Sequence, residues 1–420
     1  MTTNLSRRTL LKALGLGAAA TLIPALTRAE ALPHVVVVGG GFAGATAAKY
    51  LKMWGGTSVE VTLVEPNTTY VSPILSNLVL NHQRTTSDLS FDYTHHSTVY
   101  GINMIHDSVN AIDKTNQVLT LHDGVTLSYD RLILAGGMDF VDIPGLDFDK
   151  VPHAWKAGLQ TNLLKDQIDA MQDGDHFVMT VPASPYRCPP GPYERACVVA
   201  DYLKNTKGFA NCEVTVLDAN SAITVEAETF GAKFTEYGVN YRPNIVISSV
   251  DSDTRSITFS ENGGAAQTLD AEVLNVIPNQ KAAKIVFDAG LNSGNWAPVN
   301  PLSYESTLAT NIHIIGDSQA TPQPKSGHMG NSQAKICADA VLRSLNGMDL
   351  NAAPKTNTAC YSPVSATHAS WLTAVYEYNA STQAMQLVPG AGYPAAGAPS
   401  TENYTQMFNW SGNLFADTFA

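Results

Sequence analysis

The chain has 420 residues, of which 44% are hydrophobic and 15% are charged, and its formal net charge is −12. This length exceeds what one small core holds and predicts two or three domains. The composition excludes a largely disordered chain. The negative charge excludes a nucleic-acid-binding protein, because such a protein needs a basic surface to neutralise phosphates.

The first 31 residues have the features of an export signal. Arg7 and Arg8 precede a short apolar stretch, and small residues surround Ala29 and Ala31. This pattern predicts a twin-arginine signal peptide over residues 1–31 and a mature protein in the bacterial periplasm, where disulfides persist. The apolar stretch is shorter than the ~20 residues that span a bilayer, and we expect no integral membrane segment in the mature chain.

The segment directly after the signal predicts a dinucleotide-binding unit. Four valines form a predicted strand, Gly39, Gly41 and Gly44 complete a GxGxxG turn, an alanine-rich helix follows, and a second strand ends at Glu65. Glycines let the backbone approach a pyrophosphate at the helix N-terminus, and the acid accepts a hydrogen bond from a ribose hydroxyl.

Two later segments predict the rest of an FAD-binding domain. Residues 127–138 form a predicted strand ending at Ala135 and Gly136, where the backbone can pass close to a dinucleotide. A third strand is followed by Gly316 and Asp317 and then by a helix. An aspartate at such a strand end binds ribityl or phosphate oxygens of FAD, and the alternative is an ordinary helix N-cap.

The insertion over residues 151–275 predicts a dinucleotide-type fold that lacks the phosphate loop. It contains a strand, "HFVMTV", a helix, "PYERACVVADYLK", and a strand that ends at Asp218. The turn between the first two is "PASPYRCPPGP", whose one glycine is Gly191, so bulky residues stand where a phosphate would approach the backbone. We therefore predict a degenerate NAD-like domain inserted into an FAD-binding domain of residues 32–150 and 276–350.

Residues 351–420 predict a small C-terminal domain with few charges, in which "CYSPVSATHASWLTAVYEYNA" is expected to pair a helix with a strand. The whole pattern predicts an α/β fold with two dinucleotide-type domains.

Neither a CxxC pair nor a CxxCH motif occurs, so neither a zinc knuckle nor an attached c-type haem is encoded. His95 and His96 have no further ligands at metal spacing, and we interpret them as a solvated loop.

The chain has five cysteines, and Cys188 can be interpreted in two ways. Cys188 lies just before a predicted helix with Pro192 in its first turn, and a helix N-terminus stabilises a thiolate. The alternative for Cys188 is a buried apolar thiol. The other four cysteines are Cys197, Cys212, Cys337 and Cys360. We interpret the first three of these as core residues.

Several segments resemble, in the same order, the flavoprotein subunit of flavocytochrome c sulfide dehydrogenase. They include "VVVVGGGFAGATAAKYLK", "EVTLVEPNTTY", "PHAWKAG", "RCPPGPYERA", "PKSG", "NSQAK" and "CYSPV", and the match runs from about residue 33 to the final "DTFA". The resemblance implies a glutathione-reductase-like fold with FAD. It also implies oxidation of sulfide and electron transfer to a separate c-type cytochrome subunit.

The resemblance implies three catalytic residues and one further flavin neighbour. Cys188 and Cys360 correspond to a redox-active disulfide beside the flavin. Glu194 corresponds to a candidate proton acceptor from sulfide, and its alternative is an acid that complements the helix dipole. Lys325 lies in the loop that passes near the flavin pyrimidine, where a positive charge or a helix N-terminus favours the reduced flavin.

One departure from the family concerns how FAD is held. The family usually binds FAD covalently through a cysteine at the position that Pro73 occupies here, and no cysteine precedes Cys188. The sequence therefore predicts noncovalent FAD, retained by the pyrophosphate turn, Glu65 and Asp317.

Three other functions stay open at this point. A sulfide:quinone oxidoreductase shares the fold and the paired cysteines but works at a membrane, and no basic amphipathic helix lies near the C-terminus to dock one. An NAD(P)H-dependent disulfide reductase is disfavoured by the missing second glycine loop. A binding protein that retains the fold without catalysis would carry no flavin.

Overall fold

The computed structural model describes residues 32–392 and 399–420, so the predicted export signal lies outside the described residues. The helices are α1 (Phe42–Gly55), α2 (Thr94–Thr98), α3 (Leu159–Ala170), α4 (Gly191–Asp201), α5 (Ala227–Tyr237), α6 (Lys284–Asp288), α7 (Gly327–Leu345) and α8 (Thr401–Phe419). In this part of the chain no helix is long and apolar enough to cross a membrane.

The strands fall into three groups along the chain. The first group is β1 (His34–Val38), β2 (Glu60–Val64), β3 (Thr69–Val71), β4 (Ser90–Asp92), β5 (Asn103–Ile105), β6 (Val109–Asp113), β7 (Val118–Leu121), β8 (Thr126–Ser128), β9 (Arg131–Leu134) and β10 (Met138–Phe140). The second group is β11 (His176–Val181), β12 (Glu213–Asp218), β13 (Asn240–Arg242), β14 (Ile245–Asp251), β15 (Ser256–Glu261), β16 (Gln267–Asp270), β17 (Val273–Asn275) and β18 (Gln280–Ala282). The third group is β19 (Ile312–Ile314), β20 (Lys355–Pro363), β21 (Ala369–Asn379) and β22 (Ala384–Leu387).

A five-stranded parallel sheet in the order β19-β9-β1-β2-β5 organises the first dinucleotide unit. The valines of β1 are buried on both faces of the sheet: α1, which packs on α7, covers Val35 and Val37, and a cluster that includes Leu119 and Leu121 of β7 covers Val36 and Val38. Parallel strands end at a common edge, so the segments that follow β1, β2, β9 and β19 meet there. This edge brings together Gly39, Glu65, Ala135 and Gly316.

A second parallel sheet in the order β13-β12-β11-β17 forms the inserted unit, and α4 follows β11 as predicted. Asp218 ends β12 and is fully buried. Its Oδ2 accepts hydrogen bonds from the hydroxyls of Tyr193 (2.7 Å) and Tyr241 (2.8 Å). Its Oδ1 accepts one from the Asn220 backbone N–H at 2.8 Å. In a functional dinucleotide site this acid would bind a ribose, whereas here Asp218 accepts its hydrogen bonds from groups of the protein itself.

The C-terminal segment differs from its predicted helix-strand pairing. β20, β21 and β22 form an antiparallel sheet, in which Cys360 pairs with Leu372. The segment alternates buried threonine and serine with larger residues, a period-two pattern that suits a strand rather than a helix. α8 then packs on α1 through aromatic rings, including Phe42 and Phe419 at 5.7 Å between ring centroids.

Candidate active site

A cavity of about 980 Å³ opens at the common edge of the first sheet. Seven of the nine predicted cofactor-binding residues line it: Gly39, Gly41, Glu65, Ala135, Gly136, Gly316 and Asp317. The other two, Gly44 and Lys325, do not. The volume lies at the upper end of the range for ligand sites, which suits a ligand as long as FAD.

The glycine turn after β1 has the close contacts that a phosphate loop needs. Gly39 has φ of 101°, and a Cβ there would lie 2.6 Å from the carbonyl oxygen of Ala135. A Cβ on Gly44 would lie 1.8 Å from the carbonyl oxygen of Gly39, so Gly44 lets α1 pack directly beneath the turn. Because the N-terminus of α1 faces this cavity, its free N–H groups fit a pyrophosphate.

Two acids, Glu65 and Asp317, line this cavity. Glu65 accepts hydrogen bonds from the backbone N–H groups of Gly40 (2.8 Å) and Asn67 (3.0 Å), which orient its carboxylate and leave lone pairs for ribose hydroxyls. Asp317 follows β19 in a short 3-10 turn and is buried. Burial raises the pKa of Asp317, and Arg187 opposes that rise.

Lys325 does not place its charge on the cavity. Its Nζ donates to the carbonyl oxygens of Asp317 (2.8 Å) and Gln319 (2.6 Å) and lies 3.7 Å from the Trp296 ring centroid. Burial lowers the pKa of Lys325 to about 8. Two other cations, Arg187 and Lys156, line the cavity instead, and the sequence interpretation gave neither of them a role.

The N-terminus of α7 faces the same region. Ser326 caps this helix by accepting a hydrogen bond from the Met329 backbone N–H at 3.1 Å. Ser326 and Gly327 line the large cavity, so the positive end of a 19-residue helix points toward it. At this cavity the positive potential therefore comes from Arg187, Lys156 and a helix N-terminus.

A second cavity of about 70 Å³ adjoins the first, and Pro73, Arg187, Ser326 and Gly327 line both. All three predicted catalytic residues line this smaller cavity, which we call the cysteine cavity: Cys188, Glu194 and Cys360. They come from the turn after β11, from α4 and from β20. The fold therefore brings together residues that are up to 172 positions apart in the sequence, beside the large cavity.

The backbone holds Cys188 tightly. Cys188 has φ of 57°, in the left-handed region, and its N–H donates to the carbonyl oxygen of Lys325 at 2.7 Å. Its own carbonyl accepts from the Gly191 N–H at 2.9 Å, at the start of α4. A Cβ on Gly191 would lie 2.9 Å from Cys188 Sγ and 2.8 Å from the Trp155 ring, so the glycine leaves room for the sulfur.

Both thiols are free in the structure, and Cys188 does not favour the thiolate that the sequence predicts. Burial raises the pKa of Cys188 to about 12, and the nearby Glu194 adds to this rise. Burial also raises the pKa of Cys360 well above its ordinary value. Desolvation therefore outweighs the helix N-terminus, and the expected thiolate stabilisation at Cys188 is wrong for the dithiol state.

Glu194 lies in the first turn of α4, is 8% exposed and faces the cysteine cavity. Burial raises the pKa of Glu194 to about 8. Its Oε1 accepts a hydrogen bond from Asn77 Nδ2 at 2.9 Å. A carboxyl group of this kind can take up and release a proton near neutral pH.

Three further residues of the cysteine cavity were not given a role by the sequence, namely Asn77, Trp155 and Arg195, and a fourth, His328, was expected with Lys325 in the loop near the flavin pyrimidine. Trp155 and Arg195 lie in the segments "PHAWKAG" and "RCPPGPYERA", which signalled the site without indicating their roles. His328 Nδ1 accepts from the Ala359 N–H at 2.9 Å, beside Cys360. Asn77 carries no sequence signal, since its role depends on residues more than 100 positions away.

The histidine pair differs from its predicted solvated loop. His95 and His96 lie in α2, and His96 is buried with Nε2 3.1 Å from the carbonyl oxygen of Ala45. Burial lowers the pKa of His96 to about 4, so the ring is neutral. Within residues 32–392 and 399–420, no group of three or more His, Cys, Asp or Glu side chains is arranged to hold a metal ion.

Three family models match separate parts of the chain. Residues 161–278 match "Sulfide dehydrogenase (flavocytochrome c) flavoprotein chain, central", and residues 352–419 match "Flavocytochrome c sulphide dehydrogenase, flavin-binding". Residues 33–170 match "Pyridine nucleotide-disulphide oxidoreductase".

Three known proteins are similar to parts or to most of this chain. The flavoprotein chain of sulfide dehydrogenase (flavocytochrome c) from Chlorobaculum thiosulfatiphilum is 58% identical over 46 residues, which are 11% of this chain and 94% of that sequence. A mitochondrial sulfide:quinone oxidoreductase from Dictyostelium discoideum is 22% identical over 363 residues, 82% of this chain and 77% of the relative. The crystal structure of the sulfide:quinone oxidoreductase from Aquifex aeolicus superposes with a TM-score of 0.75 at 16% identity and 92% coverage of each chain, which confirms the predicted fold.

Proposed function

Because the chain belongs to the family of flavocytochrome c sulfide dehydrogenase flavoprotein chains, and is thus an FAD-containing oxidoreductase that oxidises sulfide, we propose that this oxidation proceeds through a Cys188–Cys360 disulfide. The observation that carries the proposal is that both cysteines line one small cavity adjoining the FAD cavity. The buried dithiol is protonated at neutral pH, since burial raises both thiol pKa values. Oxidation to the disulfide makes the pair an electrophile.

The first chemical step is thiol–disulfide exchange with hydrosulfide as the nucleophile. The incoming sulfur bonds to one cysteine sulfur as a persulfide, the S–S bond breaks, and the other cysteine leaves as a thiolate. Glu194 accepts the proton that the incoming sulfur loses. Arg187, which lines both cavities, stabilises the negative charge that develops on the thiolate. For the disulfide to form again, the persulfide and the thiolate together would give two electrons to bound FAD, and the sulfur would leave at the oxidation level of elemental sulfur, two electrons more oxidised than hydrosulfide.

FAD supplies the electron acceptor for this step, because it takes up two electrons together and releases them one at a time. The residues that would hold it are the glycine turn, Glu65 and Asp317. We propose that it is bound noncovalently: Pro73 lines the border of both cavities, and the residues lining the FAD cavity include no cysteine.

We further propose that the electrons pass to a c-type cytochrome subunit in the periplasm. The family relationship and the twin-arginine pattern at Arg7 and Arg8 support this assignment. A sulfide:quinone oxidoreductase is the second candidate, favoured by the relative from Dictyostelium discoideum. Against it, α8 contains no lysine or arginine with which to bind an anionic membrane surface.

Anaerobic titration of the purified protein with sulfide tests the disulfide. We expect wild-type flavin absorbance to bleach, and Cys188→Ser and Cys360→Ser each to abolish rapid bleaching. Cys212→Ser is the matched control, because Cys212 lies outside both cavities and donates to the carbonyl oxygen of Gln172 at 3.1 Å. Full bleaching that survives either site mutation would remove the disulfide from the electron path.

The acceptor and the compartment are tested separately. Sulfide-reduced protein should reoxidise faster with soluble cytochrome c than with a short-chain quinone, and the reverse order would favour the second candidate. In cells, replacing both Arg7 and Arg8 by lysine should retain the protein in the cytoplasm, whereas unchanged export would exclude the twin-arginine route.

A further inference from the structure

We propose that Asn77 is a positioning residue, which holds the Glu194 carboxylate at the cysteine cavity and separates it from the Arg195 guanidinium. This inference rests on the proposed role of Glu194 as the proton acceptor from sulfide. Asn77 lies in the short 3-10 turn Ser76–Val79, four residues after Pro73, and is buried.

Both ends of the Asn77 amide are engaged. Nδ2 donates to Glu194 Oε1 at 2.9 Å and to the carbonyl oxygen of Gly191 at 3.1 Å. Oδ1 accepts from Arg195 Nε at 2.9 Å. The opposite orientation would set the NH₂ group against a guanidinium donor and the amide oxygen against a carboxylate. The neighbours therefore fix the amide in the one orientation that donates to Glu194.

The Nη groups of Arg195 donate to acceptors other than Glu194. Nη1 donates to the carbonyl oxygen of His153 (3.1 Å) and to Asn275 Oδ1 (2.8 Å), and Nη2 donates to the carbonyl oxygen of Ala154 (2.6 Å). No ion pair joins Arg195 to Glu194 in the described part of the chain. Asn77 thus lies between a fully buried cation and the carboxylate.

The separation of Glu194 from Arg195 sets the pH range in which Glu194 can accept a proton. Direct pairing with a guanidinium would hold a carboxyl group ionised far below neutral pH, whereas burial without any donor would keep it protonated. Asn77 supplies one neutral hydrogen bond, which lowers the pKa of Glu194, while burial raises it to about 8. The carboxylate therefore gains and loses a proton near pH 8.

Other ionisable groups also face Glu194 and contribute to its titration. They are Arg195 on α4 itself, Arg187 and Cys188 in the preceding turn, Glu226 before α5, Cys360 on β20 and His328 on α7. The test therefore compares variants with one another, since the wild-type pH profile alone does not separate these groups.

The experiment is anaerobic stopped-flow reduction of the bound flavin by sulfide, from pH 5.5 to 9. Asn77→Asp keeps an acceptor for Arg195 but replaces the donor to Glu194 by a negative oxygen, and Asn77→Leu removes both contacts. Loss of one hydrogen bond to a charged group corresponds to about 1–2 pH units. In both variants we expect the ascending limb of the pH–rate profile to move to higher pH by that amount. At pH 6 the rate of flavin reduction should fall 10-fold or more.

Two controls keep the outcome interpretable. Asn81→Leu removes a nearby buried asparagine that contacts Gln83 rather than Glu194, and it should leave the limb in place. Asn77→Asp is close to the native shape, so it provides the test if Asn77→Leu does not fold with its flavin.

The Glu194→Gln background separates the two hypotheses. If Glu194→Gln removes the ascending limb and Asn77→Asp then adds no further shift, Asn77 acts through Glu194. If Glu194→Gln removes the limb but the Asn77 variants leave it unmoved, the inference about Asn77 is overturned while the role of Glu194 stands. If Glu194→Gln leaves the limb unchanged, Glu194 is not the proton acceptor, and that part of the proposed function fails first.

Discussion

Glu194→Gln is expected to stabilise the folded protein at high pH and to change its stability little at low pH. Glutamine has nearly the same shape as glutamate, and its Oε1 can still accept the hydrogen bond from Asn77 Nδ2. The substitution therefore removes the charge of a buried side chain without opening a cavity. The change in the free energy of unfolding therefore measures how much an ionisable group at this position destabilises the folded protein.

The magnitude follows from the raised pKa. Burial raises the pKa of Glu194 from 4.5 to about 8, so the folded state binds this proton more tightly than the unfolded state does. Below pH 4.5 the carboxyl group is neutral in both states and costs nothing. As the pH rises from 4.5 to 8, ionisation increasingly favours the unfolded state, and the penalty levels off on the order of 5 kcal/mol above pH 8.

Thermal unfolding of the FAD-bound protein at pH 5, 7 and 9 checks this prediction. The stability advantage of Glu194→Gln over wild type should grow from about 1 kcal/mol at pH 5 to about 4–5 kcal/mol at pH 9. Glu60→Gln, at an exposed position that begins β2, controls for loss of a carboxylate elsewhere. A stability difference that does not grow with pH would refute the raised pKa of Glu194 in the folded state.

Three further predictions concern the cofactor. Because Pro73 occupies the border of the two cavities, acid precipitation should release all FAD into the supernatant, and retained flavin would contradict noncovalent binding. Gly44→Ala should lose most of its FAD on purification, since its Cβ meets the Gly39 carbonyl oxygen, while Gly412→Ala, with open space around it, should retain FAD. NADH should not bleach the flavin, because the Tyr193 and Tyr241 hydroxyls occupy Asp218; rapid bleaching would revive an NADH-dependent reductase.

The sequence predicted the large cavity well because its signals are local. Gly39, Gly41 and Glu65 lie within one strand-turn-helix-strand unit, whose spacing alone indicates a phosphate turn and a ribose-binding acid. The strand ends at Ala135 and Gly316 could be added because parallel strands end at one edge of a sheet. That the inserted unit does not bind NAD(P)H stays a prediction from sequence, made because a turn with one glycine cannot bring the backbone close to a phosphate.

The C-terminal strands were harder to predict from local pattern. "CYSPVSATHASWLTAVYEYNA" contains residues that suit both helix and strand, and pairing between β20 and β21 decided the outcome. A strand gains its hydrogen bonds from a partner segment, so its stability depends on tertiary context more than that of a helix does.

What the sequence determined by itself was the dinucleotide turn, the order of the elements and, through family resemblance, the segments that carry Cys188, Glu194 and Cys360. What only the tertiary structure decided was the environment of these groups: the burial that keeps both thiols protonated, the presence of Arg187 and Lys156 rather than Lys325 at the large cavity, and the placement of Asn77 beside Glu194. The physical reason is that desolvation and hydrogen bonding depend on every segment packed around a group, and those segments are distant in sequence.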